Sequence, residues 1–152
     1  KLHRDLSVFV ALVTELAPQG VGLVLDGAEV RDDYLPVEVL NIQHAGPRIH
    51  LSRRADPGDG LLDVVVATAR DRDKLHYNLK TCLAGSRPDP VLDSAKARRV
   101  TLAFGGPEFR IDDEVIALRQ EAGSSDGAVT IELSVVPDAL RILSPDVNDA
   151  PG

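Results

Sequence analysis

The fold is decided by residues 41–68, NIQHAGPRIHLSRRADPGDGLLDVVVAT. This stretch joins the end of one strand to a turn-rich acidic loop and then to LLDVVVA, a β-branched segment typical of a strand inside a sheet. The loop brings Asp56 and Asp59 together and contains the turn signal Asp59-Gly60. Two carboxylates and free backbone carbonyls in one turn would suit a hard cation. An ordinary solvated turn is the alternative at this point.

The residues before this stretch predict a helix and a hairpin. Apolar residues recur at helical spacing over residues 2–16, which indicates an amphipathic helix of about four turns. VGLVLDGAEV (residues 21–30) then reads as strand, Asp-Gly turn and partner strand. A break is expected at Asp32-Asp33, before the alternating strand PVEVL (residues 36–40).

The residues after the stretch predict a second helix and further strands. That helix carries Leu75, Leu79 and Cys82 on one face, with Asp71 or Asp73 as its N-cap. Strands are expected at residues 100–104, 109–111, 115–118, 128–136 and 139–143. About eight to ten short strands and two helices, without regular strand–helix alternation, favour a mostly antiparallel β-sandwich with one or two helices added at an edge. A doubly wound α/β fold is disfavoured.

Length and composition indicate one soluble domain over residues 1–145, followed by a flexible tail at residues 146–152. The chain has 152 residues, of which 43% are apolar and 27% charged. Its net charge of −7 and its aromatic share of 3% argue against nucleic acid as the main partner. Lys96 with Arg98-Arg99 is one candidate basic patch and Arg53-Arg54 another, although solvated faces are the preferred interpretation of both.

Cysteine content and hydropathy indicate the cytosol. The single Cys82 excludes an internal disulfide, and its place on an apolar helix face indicates core packing. No apolar run approaches the roughly 20 residues of a membrane span. The chain starts at Lys1 and contains no Met, so we expect it to be a fragment or a processed product.

Two acidic clusters are the candidates for chemistry. One combines Asp56, Asp59 and Asp63, and the other is the triplet 112–114, Asp-Asp-Glu. If the triplet is extended, Asp112 and Glu114 project to the same side, where one carboxylate could accept a proton while the other holds a cation. The four histidines have no metal-ligand spacing such as HExxH. No glycine-rich phosphate-binding loop is present.

Several motifs resemble the C-terminal lobe of the diacylglycerol kinase-like lipid kinases, of the bacterial soluble, NAD kinase-like type. The quoted stretch resembles the family's Asn-ending strand, its turn, its conserved Ala (here Ala55) and its Asp-Gly-x-Leu strand opening (residues 59–62). RIDDEV is similar to the family's Asp-Gly-Glu motif, and VVPDALRILSP to its closing strand. With the VGLVLDG hairpin, the resemblance runs from about Val21 to Pro145.

The resemblance implies roles for individual residues. Glu114 would be the general base that takes a proton from a lipid hydroxyl during attack on the γ-phosphate of ATP, and Asp112 would be the Asp of the same motif. A structural Mg²⁺ would be bound by Asp56, Asp59 and the main-chain oxygen of Leu61. The partners implied are a diacylglycerol-like lipid, an N-terminal ATP-binding lobe and a possible homodimer, in the cytoplasm and peripherally at the membrane.

Two departures from the family pattern bear on activity. Asp113 stands where the motif has Gly, which tolerates positive φ better, and its charge would raise the pKa of Glu114 or demand a cation. The Gly-Gly-Asp-Gly-Thr nucleotide motif is absent from this chain, so we expect the chain alone to be inactive. The alternatives are a non-catalytic β-sandwich that binds a lipid or a partner, and a kinase for a sphingoid base or a nicotinamide dinucleotide.

Overall fold

The computed structural model describes residues 2–45, 49–112, 114–118, 128–137 and 139. Within these ranges the chain forms two α-helices, a 3-10 turn at Ala69–Asp71 and ten β-strands. Their bounds are α1 Leu2–Glu15, β1 Gln19–Leu25, β2 Ala28–Leu40, β3 His44–Ala45, β4 Ile49–His50, β5 Leu62–Thr68, α2 Arg72–Leu83, β6 Ser94–Ala97, β7 Arg99–Phe104, β8 Glu108–Ile111, β9 Glu114–Ala117 and β10 Val129–Ser134. The predicted class, mostly antiparallel β-strands with two helices, is confirmed.

The main sheet has six strands in the order β10-β7-β1-β2-β5-β6. Every pairing in it is antiparallel. Two hairpins, β3–β4 and β8–β9, form separate two-stranded sheets. The LLDVVVA strand, β5, has partners on both sides, β2 and β6, as its β-branched composition predicts. The short strand β6 was not predicted, because SAKA is only four residues long and contains no residue of high β-propensity.

The predicted break at Asp32-Asp33 is wrong, because β2 continues through it. Both aspartates pair with β1, Asp32 opposite Val21 and Asp33 opposite Gly20. Their side chains are exposed, so the carboxylates stay in water while their backbone joins the ladder. The irregularity in this strand falls slightly later, between Tyr34 and Val37. Backbone pairing outweighs the low strand propensity of aspartate here.

Two apolar clusters hold the domain together. The first lies in the main sheet and contains Leu23, Val64, Ala97, Val100 and Leu102, each at most 4% exposed. The second joins the sheet to both helices and contains Val13, Ala67, Leu75 and Leu79. Cys82 is also fully buried, so core packing is confirmed for it. Burial of these side chains supplies the main stabilising term of the fold.

Helix α1 confirms the predicted period but buries a narrower face than expected. Leu6 and Val13 are buried, whereas Phe9 is 43% exposed and Leu16 39% exposed. The guanidinium of Arg72 attaches the end of α1 to α2 by donating hydrogen bonds to the carbonyls of Val13 and Leu16. The Val13 carbonyl belongs to the last turn of α1 and the Leu16 carbonyl directly follows the helix, so neither has an intrahelical partner.

Some sequence predictions fall outside the described residues. These are the polar turn at residues 123–127, most of the last strand at 139–143, the residue at position 113 and the tail at 146–152. In the part of the chain that is described, no helix has the length and hydrophobicity needed to cross a membrane.

Candidate functional site

A cavity of about 620 Å³ lies between the main sheet and the hairpin β8–β9. It lies beside the first residue of β1, Gln19, which pairs with Tyr34, and beside the remainder of β2, which pairs with β5. The apolar part of its wall includes Val21, Val37, Val39, Leu102, Phe104 and Leu133. A concave space that combines apolar walls with polar groups is a candidate small-molecule site.

The polar part of the wall is rich in acidic side chains. Glu38, Glu108 and Asp112 line the cavity together with Arg110. Burial raises the pKa of the Glu38 carboxyl, and the positive charge of Arg110 opposes this rise. A carboxyl group in this environment is easier to protonate than one in water. The cavity therefore combines an apolar wall with groups that can accept hydrogen bonds from a hydroxyl.

The hairpin β8–β9 is held against the sheet by aromatic packing. The rings of Phe104 and Phe109 lie 6.3 Å apart at an angle of 41°, within the range of favourable aromatic pairs. Phe109 also packs against the main apolar cluster. By contrast, β9 is exposed along its whole length. One strand of the hairpin thus attaches it to the core, and the other faces solvent.

The acidic triplet lies where β8 leads into β9. Ile111 pairs directly with Glu114, the first residue of β9, so Asp112 lies in the connection between the two strands. Asp112 has φ 50°, in the left-handed region. The expected extended arrangement, with Asp112 and Glu114 projecting to one side, is therefore wrong. Asp and Asn are the side chains that enter the left-handed region most readily after Gly.

The structure places the two predicted catalytic residues differently. Asp112 lines the cavity, whereas Glu114 is exposed at the start of β9 and outside the lining set. Glu114 nevertheless pairs with Ile111, which lines the cavity. Both residues therefore belong to the same hairpin, but only Asp112 lines the cavity. The position-113 residue lies outside the described part of the chain.

In the acidic loop, the two carboxylates that were predicted to bind a metal ion stabilise the turn. One oxygen of Asp56 accepts a hydrogen bond from the N–H of Gly58 at 2.8 Å, and Asp59 Oδ1 accepts one from the N–H of Leu61 at 2.9 Å. The remaining Asp59 oxygen contacts the ammonium of Lys96. Lys96 first, and then the Leu61 N–H, lowers the pKa of the Asp59 carboxyl.

Asp63 continues this network into the protein interior. Its side chain is fully buried, and its Oδ1 accepts a hydrogen bond of 2.8 Å from the hydroxyl of Ser52, which is 1% exposed. Its Oδ2 has no hydrogen-bond partner among the described residues. That oxygen lies 3.4 Å from the ammonium of Lys96, an ion-pair distance. Lys96 therefore forms ion pairs with two carboxylates, of which one is buried.

Sequence reasoning missed the role of Lys96. We expected Lys96 on a solvated charged face or, as the alternative, in a basic patch with Arg98 and Arg99, yet its side chain is only 19% exposed. The missing information was strand β6, which places Lys96 directly opposite Asp63. The spacing of Asp59 and Asp63 at the opening of β5 indicates that a cation lies nearby, but it does not identify that cation.

The arrangement of these groups does not fit a bound Mg²⁺. The Asp59 carboxylate is already engaged by Leu61 and Lys96. In the described ranges, no three His, Cys, Asp or Glu side chains form a group that could bind a metal ion. Mg²⁺ requires near-octahedral oxygen ligands. The predicted Mg²⁺ site at Asp56, Asp59 and Leu61 stays a prediction, and the contacts favour a different cation.

The chain is similar to known proteins in both family and fold. Residues 4–144 match the family model described as YegS C-terminal NAD kinase beta sandwich-like domain. A diacylglycerol kinase of Mycobacterium tuberculosis (strain CDC 1551 / Oshkosh) is 26% identical over 148 residues, and the diacylglycerol kinase of strain ATCC 25618 / H37Rv gives the same figure. The alignment covers 94% of this chain but 45% of each relative.

Solved structures show the same fold. A crystal structure of a diacylglycerol kinase from Bacillus anthracis str. Sterne superposes with a TM-score of 0.53 at 16% identity, over 85% of this chain and 43% of that chain. A second structure, of a putative diacylglycerol kinase from the same strain, gives 0.53 at 17% identity, over 83% and 41%. The chain spans about half the length of the curated relatives that it matches.

Proposed function

Because this chain belongs to the YegS C-terminal NAD kinase beta sandwich-like family, we propose that it is the acceptor-binding, base-bearing lobe of a two-lobe, ATP-dependent lipid kinase. Its diacylglycerol-like acceptor would lie in the cavity between the sheet and β8–β9. The nucleotide and its Mg²⁺ would be held by an N-terminal lobe. The activity would take place in the cytoplasm, at the surface of a membrane that supplies the lipid.

The observation that carries this proposal is the position of the acidic turn at the cavity. Asp112 lines a space with an apolar wall, and Glu114 begins the next strand of the same hairpin. An acyl-bearing acceptor would place its chains along the apolar wall and its hydroxyl near the turn. In this pose the reacting oxygen would lie near Asp112, which is on the same hairpin as Glu114.

The proposed reaction is a direct transfer. Glu114 accepts the proton of the acceptor hydroxyl while that oxygen forms a bond to the γ-phosphorus of ATP. The bond between this phosphorus and the bridging oxygen breaks, and ADP leaves with the electron pair. Mg²⁺, when bound to the nucleotide, neutralises charge on the phosphates. Asp112, which lines the cavity, would orient the acceptor.

The experiment is ³²P transfer from ATP to diacylglycerol by the full-length protein. Glu114→Gln removes the base without changing side-chain size, so turnover should fall by about 10²-fold or more. Glu29→Gln is the matched control, because Glu29 is also an exposed glutamate near the start of a hairpin strand. It should retain full turnover. Unchanged turnover of the Glu114 variant would exclude this residue from the mechanism.

A second candidate function is a non-catalytic lipid- or partner-binding module. The full exposure of β9, including Glu114, favours it, because a catalytic base is usually better enclosed. Binding of a fluorescent diacylglycerol by the chain, combined with an absence of ³²P transfer by the full-length protein, would support this second function over the first.

A further inference from the structure

Lys96 occupies the place where a cation is needed between the acidic loop and β5. It lies on β6 directly opposite Asp63 of β5. Directly opposed residues of an antiparallel pair project to the same face of the sheet. The Lys96 ammonium can therefore reach both Asp63, on its partner strand, and Asp59, in the loop that leads into that strand.

Burial makes this contact different from a surface ion pair. The Asp63 side chain is 0% exposed and that of Lys96 is 19% exposed. Ser52 satisfies one oxygen of Asp63, and the other oxygen faces the ammonium at 3.4 Å without a hydrogen-bond partner in the described residues. A buried carboxylate left without a counter-charge is strongly destabilising. Lys96 supplies that counter-charge.

The acidic loop also requires the positive charge of Lys96. Asp56 and Asp59 use one oxygen each to accept backbone N–H groups within the turn. The other oxygen of Asp59 accepts a hydrogen bond from the ammonium of Lys96. A lysine ammonium has three N–H donors, enough to bind Asp59 and Asp63 at once. A divalent ion at this point would have to displace the ammonium and leave it in a partly buried site.

We propose that the Lys96 ammonium is the built-in cation of the Asp56–Leu61 loop, in place of the Mg²⁺ that the family resemblance implies. The loop of this chain is consequently stabilised without a metal ion. The proposal concerns folding and is independent of the kinase reaction, so either can fail without the other.

The first experiment measures the melting temperature of the 152-residue chain in EDTA and in millimolar Mg²⁺. The wild-type Tm should be the same in both. Asp59→Ala should lower the Tm equally in both, because its partner is Lys96. A metal-locked loop predicts the opposite pattern, namely a wild-type Tm that rises in Mg²⁺ and an Asp59→Ala loss confined to Mg²⁺. That pattern would overturn the proposal.

The second experiment replaces the cation itself. Lys96→Met keeps an unbranched side chain but leaves the buried Asp63 charge without its partner, so the Tm should fall by about 10 °C. Lys74→Met is the matched control. Lys74 pairs with Asp71 at 3.6 Å, but its side chain is 65% exposed, and its loss should shift the Tm by at most about 2 °C. Equal shifts for both lysine variants would contradict the proposal.

A double variant separates an ion pair from two independent contributions. Lys96→Met combined with Asp59→Ala should lower the Tm by less than the sum of the two single shifts, because each change removes the same interaction. Additive shifts would overturn the proposal. If Lys96→Met does not fold, Lys96→Arg retains a charge at this position and should remain indifferent to Mg²⁺. A Tm of the Arg variant that rises in Mg²⁺ would count against it.

Discussion

Two hairpins of this domain have similar turns and different surroundings. The turn of β1–β2 starts at Asp26, with φ 48°, and that of β8–β9 starts at Asp112, with φ 50°. In each hairpin the strand ends pair directly, Leu25 with Ala28 and Ile111 with Glu114. The Asp26 carboxylate accepts backbone N–H groups of Arg98 and Arg99 at 2.9 Å. The described residues donate no hydrogen bond to the Asp112 carboxylate, which lines the cavity.

The difference shows that the turn conformation does not determine the role of its aspartate. Asp26 links β1–β2 to the segment between β6 and β7, and β1 lies in the interior of the six-stranded sheet. Asp112 belongs to a hairpin whose second strand is exposed. A carboxylate whose oxygens are occupied by backbone donors stabilises the fold. One whose oxygens are not so occupied, at the end of a cavity, is available to a ligand.

The largest expected effect is the difference in stability between removing an apolar side chain from β1 and removing one from β9. Leu23→Ala in β1 should lower the free energy of unfolding by about 3 kcal/mol, because Leu23 is 2% exposed and its loss leaves a cavity. Ile116→Ala in β9 removes the same number of carbon atoms but should cost less than about 1 kcal/mol, because Ile116 is 37% exposed. Urea unfolding of both variants measures the two values.

Equal losses in these two variants would mean that β8–β9 is part of the cooperative core. The hairpin could not then be treated as an appendage that serves the cavity. A change in the denaturant dependence of either variant would show instead that the surface exposed on unfolding had changed.

A smaller effect concerns acid stability. The N–H of Arg98 first, and that of Arg99 next, holds the pKa of the Asp26 carboxyl below its usual value. A lowered folded-state pKa contributes stability that is fully present above the unfolded pKa of about 3.9 and is lost as the pH falls through the lower folded value. Asp26→Asn keeps a side chain that accepts positive φ but removes this contribution.

The variant should therefore melt below the wild type at neutral pH, and the difference should shrink as the pH falls through the acid range. Asp32→Asn is the control, since Asp32 is an exposed carboxylate of the same hairpin that does not contact Arg98 or Arg99. Its Tm should follow that of the wild type. A difference between Asp26→Asn and wild type that stays constant with pH would indicate that only the hydrogen bonds, and not the charge, matter.

Local patterns in the sequence predicted those parts of the fold that local physics controls. Both helices, the Asp26-Gly27 turn and strand β5 follow from periodicity and turn chemistry. The break expected at Asp32-Asp33 was wrong, because local propensity does not show that these residues pair with Val21 and Gly20 of β1. The extended triplet at 112–114 failed for the same reason, since the pairing of Ile111 with Glu114 sets the turn.

The candidate site was only partly predictable. The motif resemblance identified Asp112, and the structure places it at the cavity. Glu38 could not be anticipated, because its burial depends on where β1 stops pairing with β2. Lys96 was missed because its meeting with Asp63 requires the register of β6 against β5. Pairings between residues that are far apart in the sequence cannot be predicted from local patterns.

The most direct test of this account compares the two turn aspartates in the full-length protein. Asp26→Asn and Asp112→Asn make the same chemical change at two left-handed turn positions. Phosphoryl transfer from ATP to diacylglycerol and the Tm are measured for both. We expect Asp112→Asn to lower turnover at an unchanged Tm, and Asp26→Asn to lower the Tm at unchanged turnover. Full turnover in the Asp112 variant, or an equal loss of turnover in both, would contradict the account.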